Sequence, residues 1–199
     1  MEATGVILAG GKSRRMGRDK LGIPLCGTPL ILRVHRALAP HCAEVVVAGS
    51  GGENCLPPGV RRVLDERPGF QGPLAGLEAA LYSARHPRVF VAAGDMPFLP
   101  ESLVGHLLGA LEGGYLAAVP RYGGRLHPLC AAYDRATLPR VTTALDAGVR
   151  AMYSFLASLE RVRYVERELE RFGAPAVFLR SLNTPEDLCW AELVCREEG

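Results

Sequence analysis

Four short stretches of this chain hold residues suited to phosphate chemistry. They are Gly10-Gly11-Lys12-Ser13-Arg14-Arg15-Met16-Gly17-Arg18-Asp19-Lys20, the run DERPGFQGPLAG from Asp65 to Gly76, GDMPFLP from Gly94 to Pro100, and NTPEDL from Asn183 to Leu188. The first imitates a Walker A loop through Gly11-Lys12-Ser13. That loop needs a glycine six positions before its lysine, and Val6 stands there. The dinucleotide pattern G-x-G-x-x-G fails too, because Gly10 and Gly11 are adjacent and the next glycine is Gly17. What remains is a pair of glycines whose bare backbone a ligand can approach. Ser13 and the cations Arg14, Arg15, Arg18 and Lys20 follow, crowded enough to favour an anion among them. A solvated basic loop is the plainer alternative.

Asp95 closes an apolar run, and a carboxylate there facing phosphate oxygens suits Mg²⁺. An Asx turn before Pro97 explains it equally well. Asn183 precedes Thr184-Pro185 and reads either as a helix N-cap or as a group near a metal or anion. Asp65 is placed to accept from a ribose hydroxyl or a base, or else to pair with Arg67. His127, in RLHPL, has no carboxylate or serine arranged around it, so it reads as structural or substrate-contacting rather than as a base. The only lysines among 23 cations are Lys12 and Lys20, both in the first stretch. A chain that otherwise writes arginine keeps a lysine where a compact point charge is needed, unless codon bias left it there.

These stretches need a frame that brings them together. Thr4–Ala9, Glu44–Gly49, Arg61–Asp65 and Arg88–Asp95 read as buried strands by length and β-branching. Helical patterns separate them. One starts with Thr28 as N-cap and Pro29 at the first helical position, another runs Gly72–Arg85 behind Pro73, and another runs from Pro100 to Gly113. Such β-α-β alternation predicts a parallel sheet with helices on both faces. Ligands of an open parallel sheet bind beyond the carboxyl ends of its strands, where all four stretches would fall. The second half predicts two strands around Gly123-Gly124, helices over Thr137–Ala147 and Val149–Leu159, an edge strand at Arg161–Glu166, a last strand near Ala174, and a final helix behind Pro185.

Composition sets the outer limits. The 199 residues suit one domain, spanning 1–199, with a sizeable core. A net charge of +2 gives no reason to expect a nucleic-acid partner. No apolar run approaches a membrane span, and the start lacks a signal peptide's basic n-region, so a cytoplasmic protein is expected. The six cysteines show neither C-x-x-C pairing nor metal-ligand rhythm and read as free thiols.

Taken together, the stretch Leu8-Ala9-Gly10-Gly11-Lys12-Ser13-Arg14-Arg15-Met16-Gly17-Arg18-Asp19-Lys20 and the motifs GPLAGL, GDMPF and NTPEDL resemble the nucleotidyltransferase family with a Rossmann-like fold. Within it they look most like the molybdenum cofactor guanylyltransferases. The resemblance covers nearly the whole chain, more loosely from Tyr115 to Phe178. It implies a three-layer α/β fold of the nucleotide-diphospho-sugar-transferase type, its sheet mostly parallel. It also implies transfer of GMP from GTP to the terminal phosphate of molybdopterin, with pyrophosphate released. By the same resemblance Leu8, Ala9, Gly10 and Gly11 would meet the guanine nucleotide, Arg15 and Lys20 would hold the triphosphate, Asp65 would contact the nucleoside, and Asp95 would bind Mg²⁺ with Asn183 assisting. One departure is Ala48, where some members carry Asn. Such a contact would then come from Ser50 or Asn54, or be absent. The expected partners are GTP, molybdopterin with or without molybdenum, and molybdoenzyme maturation proteins, around a monomer. A cytidylyltransferase, a sugar-phosphate nucleotidyltransferase and a non-catalytic GTP- or pterin-binding chaperone are the alternatives.

Overall fold

A computed structural model of the chain describes residues 2–10, 19–52, 55–63 and 72–197. The chain opens with β1 (Ala3–Leu8), followed after the first basic stretch by a 3-10 turn at Lys20–Gly22 and a small hairpin of β2 (Pro24–Leu25) and β3 (Thr28–Pro29). Then come α1 (Leu30–Leu38), β4 (Glu44–Ala48), β5 (Arg61–Val63), α2 (Pro73–Ser83), β6 (Arg88–Ala93) and α3 (Glu101–Gly109). The second half contains β7 (Ala117–Tyr122), β8 (Arg125–Leu126), β9 (Cys130–Asp134), α4 (Leu138–Asp146), α5 (Met152–Ser158), β10 (Val162–Val165), α6 (Pro175–Phe178) and α7 (Pro185–Glu197).

The main sheet runs in the order β10-β7-β9-β6-β1-β4-β5, with β8 hanging on β7. β1 pairs in parallel with both β4 and β6, β4 with β5, and β7 with β10. Only β9 and β8 run against the rest. The alternation predicts a parallel sheet with helices on both faces, the resemblance implies its mostly parallel, Rossmann-like α/β form, and both are found; β10 is the expected edge strand.

Alternation along each strand divides the core into two layers. In β1, Ile7 packs with α1 and α3, while Val6 packs with α2, α4 and α5. In β6, Phe90 and Ala92 take the first side, and Val89 and Val91 the second. All six are fully buried. Each large apolar side chain so buried contributes about 1.5–3 kcal/mol of transfer free energy. Helices cover both faces, so the strands read as continuous apolar runs rather than as alternating patterns.

Three local expectations need correction. The first helix starts at Leu30, not after a Thr28 cap. Thr28 pairs with Leu25, and the intervening Cys26-Gly27 turn takes positive φ at both residues (47° and 79°). That is the geometry of a tight hairpin, and it commits the Thr28 backbone to a strand pair. The last strand does not form. Pro175–Phe178 is one turn of helix, with Pro175 at its first position and Phe178 and Leu179 turned into the core. The helix expected from Val149 begins at Met152.

A third, smaller core fixes α7. Leu25 and Leu30 of the hairpin and α1 pack with Leu182 and Ala191, flanked by Phe98, Leu188 and Trp190. Trp190 meets Phe98 edge-on, with ring centroids 5.9 Å apart.

Candidate active site

The carboxyl ends of β1, β4 and β6 lie side by side, and their loops are tied by backbone hydrogen bonds. Gly94 N–H donates to Leu8 C=O (3.0 Å), Ala9 N–H to Ala48 C=O (2.7 Å), and Gly51 N–H to Ala9 C=O (3.0 Å). Leu8 and Ala9 are therefore built into the sheet edge. Gly10 is exposed, and a Cβ added there would meet nothing within 4 Å among the described residues.

At this edge stands Lys20, carried by the 3-10 turn. Its Nζ donates to Asp95 Oδ2 (2.6 Å), to Asn183 Oδ1 (3.0 Å) and to the Leu182 carbonyl (3.2 Å). Three donors meet three acceptors, so the ammonium is satisfied. Lys20 and Asp95 are largely shielded, with side chains 18% and 14% exposed. The second Asp95 oxygen, Oδ1, is buried and has no hydrogen-bond partner among the described residues. A buried carboxylate oxygen without a partner is costly, and its usual remedy is a water or a cation.

Asn183 reaches this place by an unexpected route. It follows no strand and does not cap α7. Thr184 caps the helix instead: Thr184 Oγ1 accepts from Asp187 N–H (3.2 Å), and Asp187 Oδ2 accepts from the N–H groups of Thr184 (3.0 Å) and Asn183 (2.8 Å). This reciprocal box leaves the Asn183 amide free to face Lys20. The T-x-x-D spacing of Thr184 and Asp187 is its sequence signature. Leu182 N–H also donates to Asp95 C=O (2.9 Å), strapping the segment before α7 to the end of β6.

Asp187 also takes Arg180 Nη2 at 2.7 Å. The Asn183 N–H and Arg180 hold its carboxyl down at about 2. The Arg180 guanidinium in turn stacks 4.1 Å from the Trp190 ring centroid.

Beyond Asp95, Ala93 N–H donates to Leu129 C=O, which brings the turn before β9 to the same edge. His127 sits in that turn with Nε2 buried and unpartnered among the described residues. Burial first, and Arg125 second, hold its imidazole below the ordinary histidine value. Tyr133 Oη, fully buried, donates to Pro128 C=O (2.8 Å) and pins the turn.

Lys20, Asp95 and Asn183 are thus brought together, with Leu8, Ala9 and Gly10 at the neighbouring strand end. Gly11, Arg15 and Asp65 lie outside the described residues, as do Asn54 and Arg67. Sequence reasoning missed Asp19, whose Oδ1 accepts from Leu21 N–H (3.1 Å) and so starts the turn that presents Lys20. It also missed the Leu182 carbonyl, which has no local signature. Among the described residues no three His, Cys, Asp or Glu side chains cluster as a metal cage.

The model of the MobA-like NTP transferase domain matches residues 5–162. This chain belongs to that family. Among the curated members of the MobA-like family it is 39% identical to the probable molybdenum cofactor guanylyltransferase of Pelotomaculum thermopropionicum, over 98% of this chain and 94% of that protein. It is 38% identical to the molybdenum cofactor guanylyltransferase of Rhodobacter capsulatus, over 96% of each. The crystal structure of molybdopterin-guanine dinucleotide biosynthesis protein A from Archaeoglobus fulgidus superposes with a TM-score of 0.80 at 28% identity, covering 98% of this chain and 99% of that one. Among the described residues no helix is long and apolar enough to cross a membrane.

Proposed function

We propose that this chain is a molybdenum cofactor guanylyltransferase: it transfers GMP from GTP to the terminal phosphate of molybdopterin, giving molybdopterin guanine dinucleotide and pyrophosphate. The observation that carries the reading is the Lys20–Asp95–Asn183 constellation at the carboxyl edge of β1 and β6. The relatives named above support it. We take the chain as one nucleotidyltransferase domain acting in the cytoplasm, a setting its free cysteines suit.

In this reaction an oxygen of the pterin phosphate forms a bond to the α-phosphorus of GTP while the bond from that phosphorus to the bridging oxygen of pyrophosphate breaks. The attacking oxygen is already anionic at neutral pH, so no side chain need remove a proton. The obstacle is the approach of two anions and the charge left on pyrophosphate, which calls for positioning and fixed positive charge. Lys20 supplies that charge. Its three hydrogen bonds are all occupied, so a phosphate must take the place of one acceptor, and Asn183 Oδ1 is the exposed one. Asp95 and the Leu182 carbonyl then keep the ammonium aimed while it turns to the nucleotide. Gly10, open to solvent beside this network, lets the nucleotide approach the backbone. Arg15, from the same loop, is assigned to the triphosphate, and Asp65 to the nucleoside.

Asp95 fits a hard cation, since Oδ1 is buried and has no hydrogen-bond partner among the described residues. We assign it as the principal Mg²⁺ ligand, with the Asn183 amide oxygen as a second. One or two protein oxygens completed by substrate phosphate is the usual Mg²⁺ arrangement. When bound, Mg²⁺ neutralises phosphate charge and holds the reacting groups in line.

The test offers GTP, CTP or UTP with Mg²⁺ and phosphorylated pterin and measures pyrophosphate. Release with GTP alone is expected. Release with CTP or UTP but not GTP overturns the nucleotide assignment, and nucleotide binding without any release overturns the enzyme.

A further inference from the structure

The loop after β4 is Gly49-Ser50-Gly51-Gly52, and it lies directly on the end of β1. A Cβ on Gly49 would stand 2.6 Å from the Ala9 carbonyl carbon and from the Gly10 nitrogen, at a residue whose φ is +115°. A Cβ on Gly51 would stand 3.0 Å from the Ala9 carbonyl oxygen, and one on Gly52 2.6 Å from Ile31 Cδ1. Gly51 N–H donates directly to the Ala9 carbonyl, so the loop meets the strand end assigned to the nucleotide backbone against backbone.

One residue holds the loop there. Arg62, on β5 in register with Val47 of β4, donates from Nη1 to Gly49 C=O (3.2 Å) and Gly51 C=O (3.0 Å), and from Nη2 to Gly52 C=O (2.9 Å). Three carbonyl oxygens converge on one half-buried guanidinium. A planar fork with several donors matches carbonyls spread along three loop residues, whereas a lysine ammonium gathers its donors at one point. On its other side the loop is tied to the phosphate side of the site. Gly52 N–H donates to Asp19 Oδ2 at 2.5 Å, while Asp19 Oδ1 takes the Leu21 N–H and starts the turn carrying Lys20. An unbroken path of hydrogen bonds therefore runs from Arg62 through the glycine loop to Asp19. It ends one residue from Lys20, with Ala9 and Gly10 against its flank.

We propose that Arg62 is a positioning residue for the nucleotide, acting through the Gly49–Gly52 loop to set the height of the Ala9–Gly10 edge relative to Lys20. The inference rests on the reading that a nucleoside triphosphate binds at this strand end. The guanidinium touches no substrate. It neutralises three carbonyl dipoles that would otherwise repel one another, so the loop keeps one arrangement and presents the same surface to every incoming nucleotide. Its effect falls chiefly on nucleotide binding, because the Lys20 ammonium is also gripped at its tip by Asp95 and the Leu182 carbonyl, which Arg62 does not touch.

The experiment compares wild type with Arg62→Ala and Arg62→Lys, using pyrophosphate release and direct GTP titration without pterin. Arg62→Ala should weaken GTP binding and raise the GTP KM about tenfold to a hundredfold, the cost of a small misplacement of a binding surface. Its kcat and pterin KM should stay within about threefold of wild type, the pattern of lost ground-state binding. Arg62→Lys should not restore the KM, although it keeps the charge. Should Arg62→Ala fail to fold, Arg62→Lys carries the test, since it keeps the stem and charge and loses only the fork. A folded variant with unchanged GTP affinity overturns the proposal. So does one whose pterin KM moves as much as its GTP KM. A wild type that turns over a different nucleotide overturns the guanylyl reading alone, and Arg62 is then judged on that nucleotide. A wild type that binds no nucleoside triphosphate overturns both.

Discussion

Lys20 Nζ and Asp95 Oδ2, 75 residues apart in sequence, meet at 2.6 Å at the edge of the sheet. The pair is more than an ion pair, because the ammonium is also shared with Asn183 and Leu182, and the second carboxylate oxygen has no partner among the described residues. Its charge is compact and can exchange partners, which suits a group that must meet a phosphate and keep its aim.

Lys20→Arg should therefore impair turnover despite conserving charge. A guanidinium spreads its charge over a plane and cannot occupy the same three-acceptor point. A fall of about a hundredfold in kcat is expected, comparable to the loss of one preorganised electrostatic group. Pyrophosphate release measures it, and an unimpaired variant would mean that Lys20 is replaceable by any cation.

Asp95→Ala should abolish Mg²⁺-dependent turnover, by about a thousandfold or more, while the sheet stays intact. The side chain sits at the edge and not in either core layer, so the far-ultraviolet circular dichroism should match wild type. Near-normal turnover in a folded variant would remove Asp95 from the metal role.

Acid should loosen the segment that delivers Asn183. The Asp187 carboxyl sits at about 2 in the fold against an ordinary value of 3.8, held down by the Asn183 N–H and Arg180. A depressed carboxyl contributes stability that is full above its unfolded value and lost as pH falls through its folded value. Wild type should thus lose stability relative to Asp187→Asn as pH drops from about 4 to about 2. At neutral pH Asp187→Asn should cost about 1 kcal/mol, in line with the loss of a cap, and lower Tm by about 2–4 °C. Thermal melts of both proteins across that window decide it, and parallel pH profiles would exclude Asp187 as the source.

The exposed thiols should differ in reactivity. The neighbouring Cys195 pushes the Cys26 thiol above the ordinary cysteine value. Less thiolate means slower alkylation. Iodoacetamide at pH 8 should modify Cys26 more slowly than Cys189, which is exposed as well, read by peptide mass spectrometry. Equal rates would show that the Cys195 contact does not protect Cys26.

Much of the frame was legible because burial on both faces writes itself plainly: Val6-Ile7, Val46-Val47 and Val89-Phe90-Val91 are β-branched or aromatic runs that suit a covered parallel strand. Lys20 and Asp95 were legible because each breaks a local pattern, one as a rare lysine and one as a charge closing an apolar run. The rest depends on contacts made across long separations. Ala174–Phe178 carries a strand's composition, yet Pro175 and the core contact of Phe178 make it a helical turn. Arg62 sits in an ordinary strand, and its partners appear only once β5 lies beside the glycine loop. Asn183 looked like a cap because Asn caps often do. The neighbouring Thr184–Asp187 box took that role and released it.

The strap from Leu182 to Asn183 has a consequence for truncation. Two of the three acceptors of the Lys20 ammonium lie in this segment, 162 and 163 residues away in sequence, and α7 anchors it by docking against Leu25 and Leu30. A chain cut before Leu182 would keep Lys20 and Asp95 but leave the ammonium with one of these acceptors. The charge network at the sheet edge therefore depends on a segment that contributes nothing to the sheet itself.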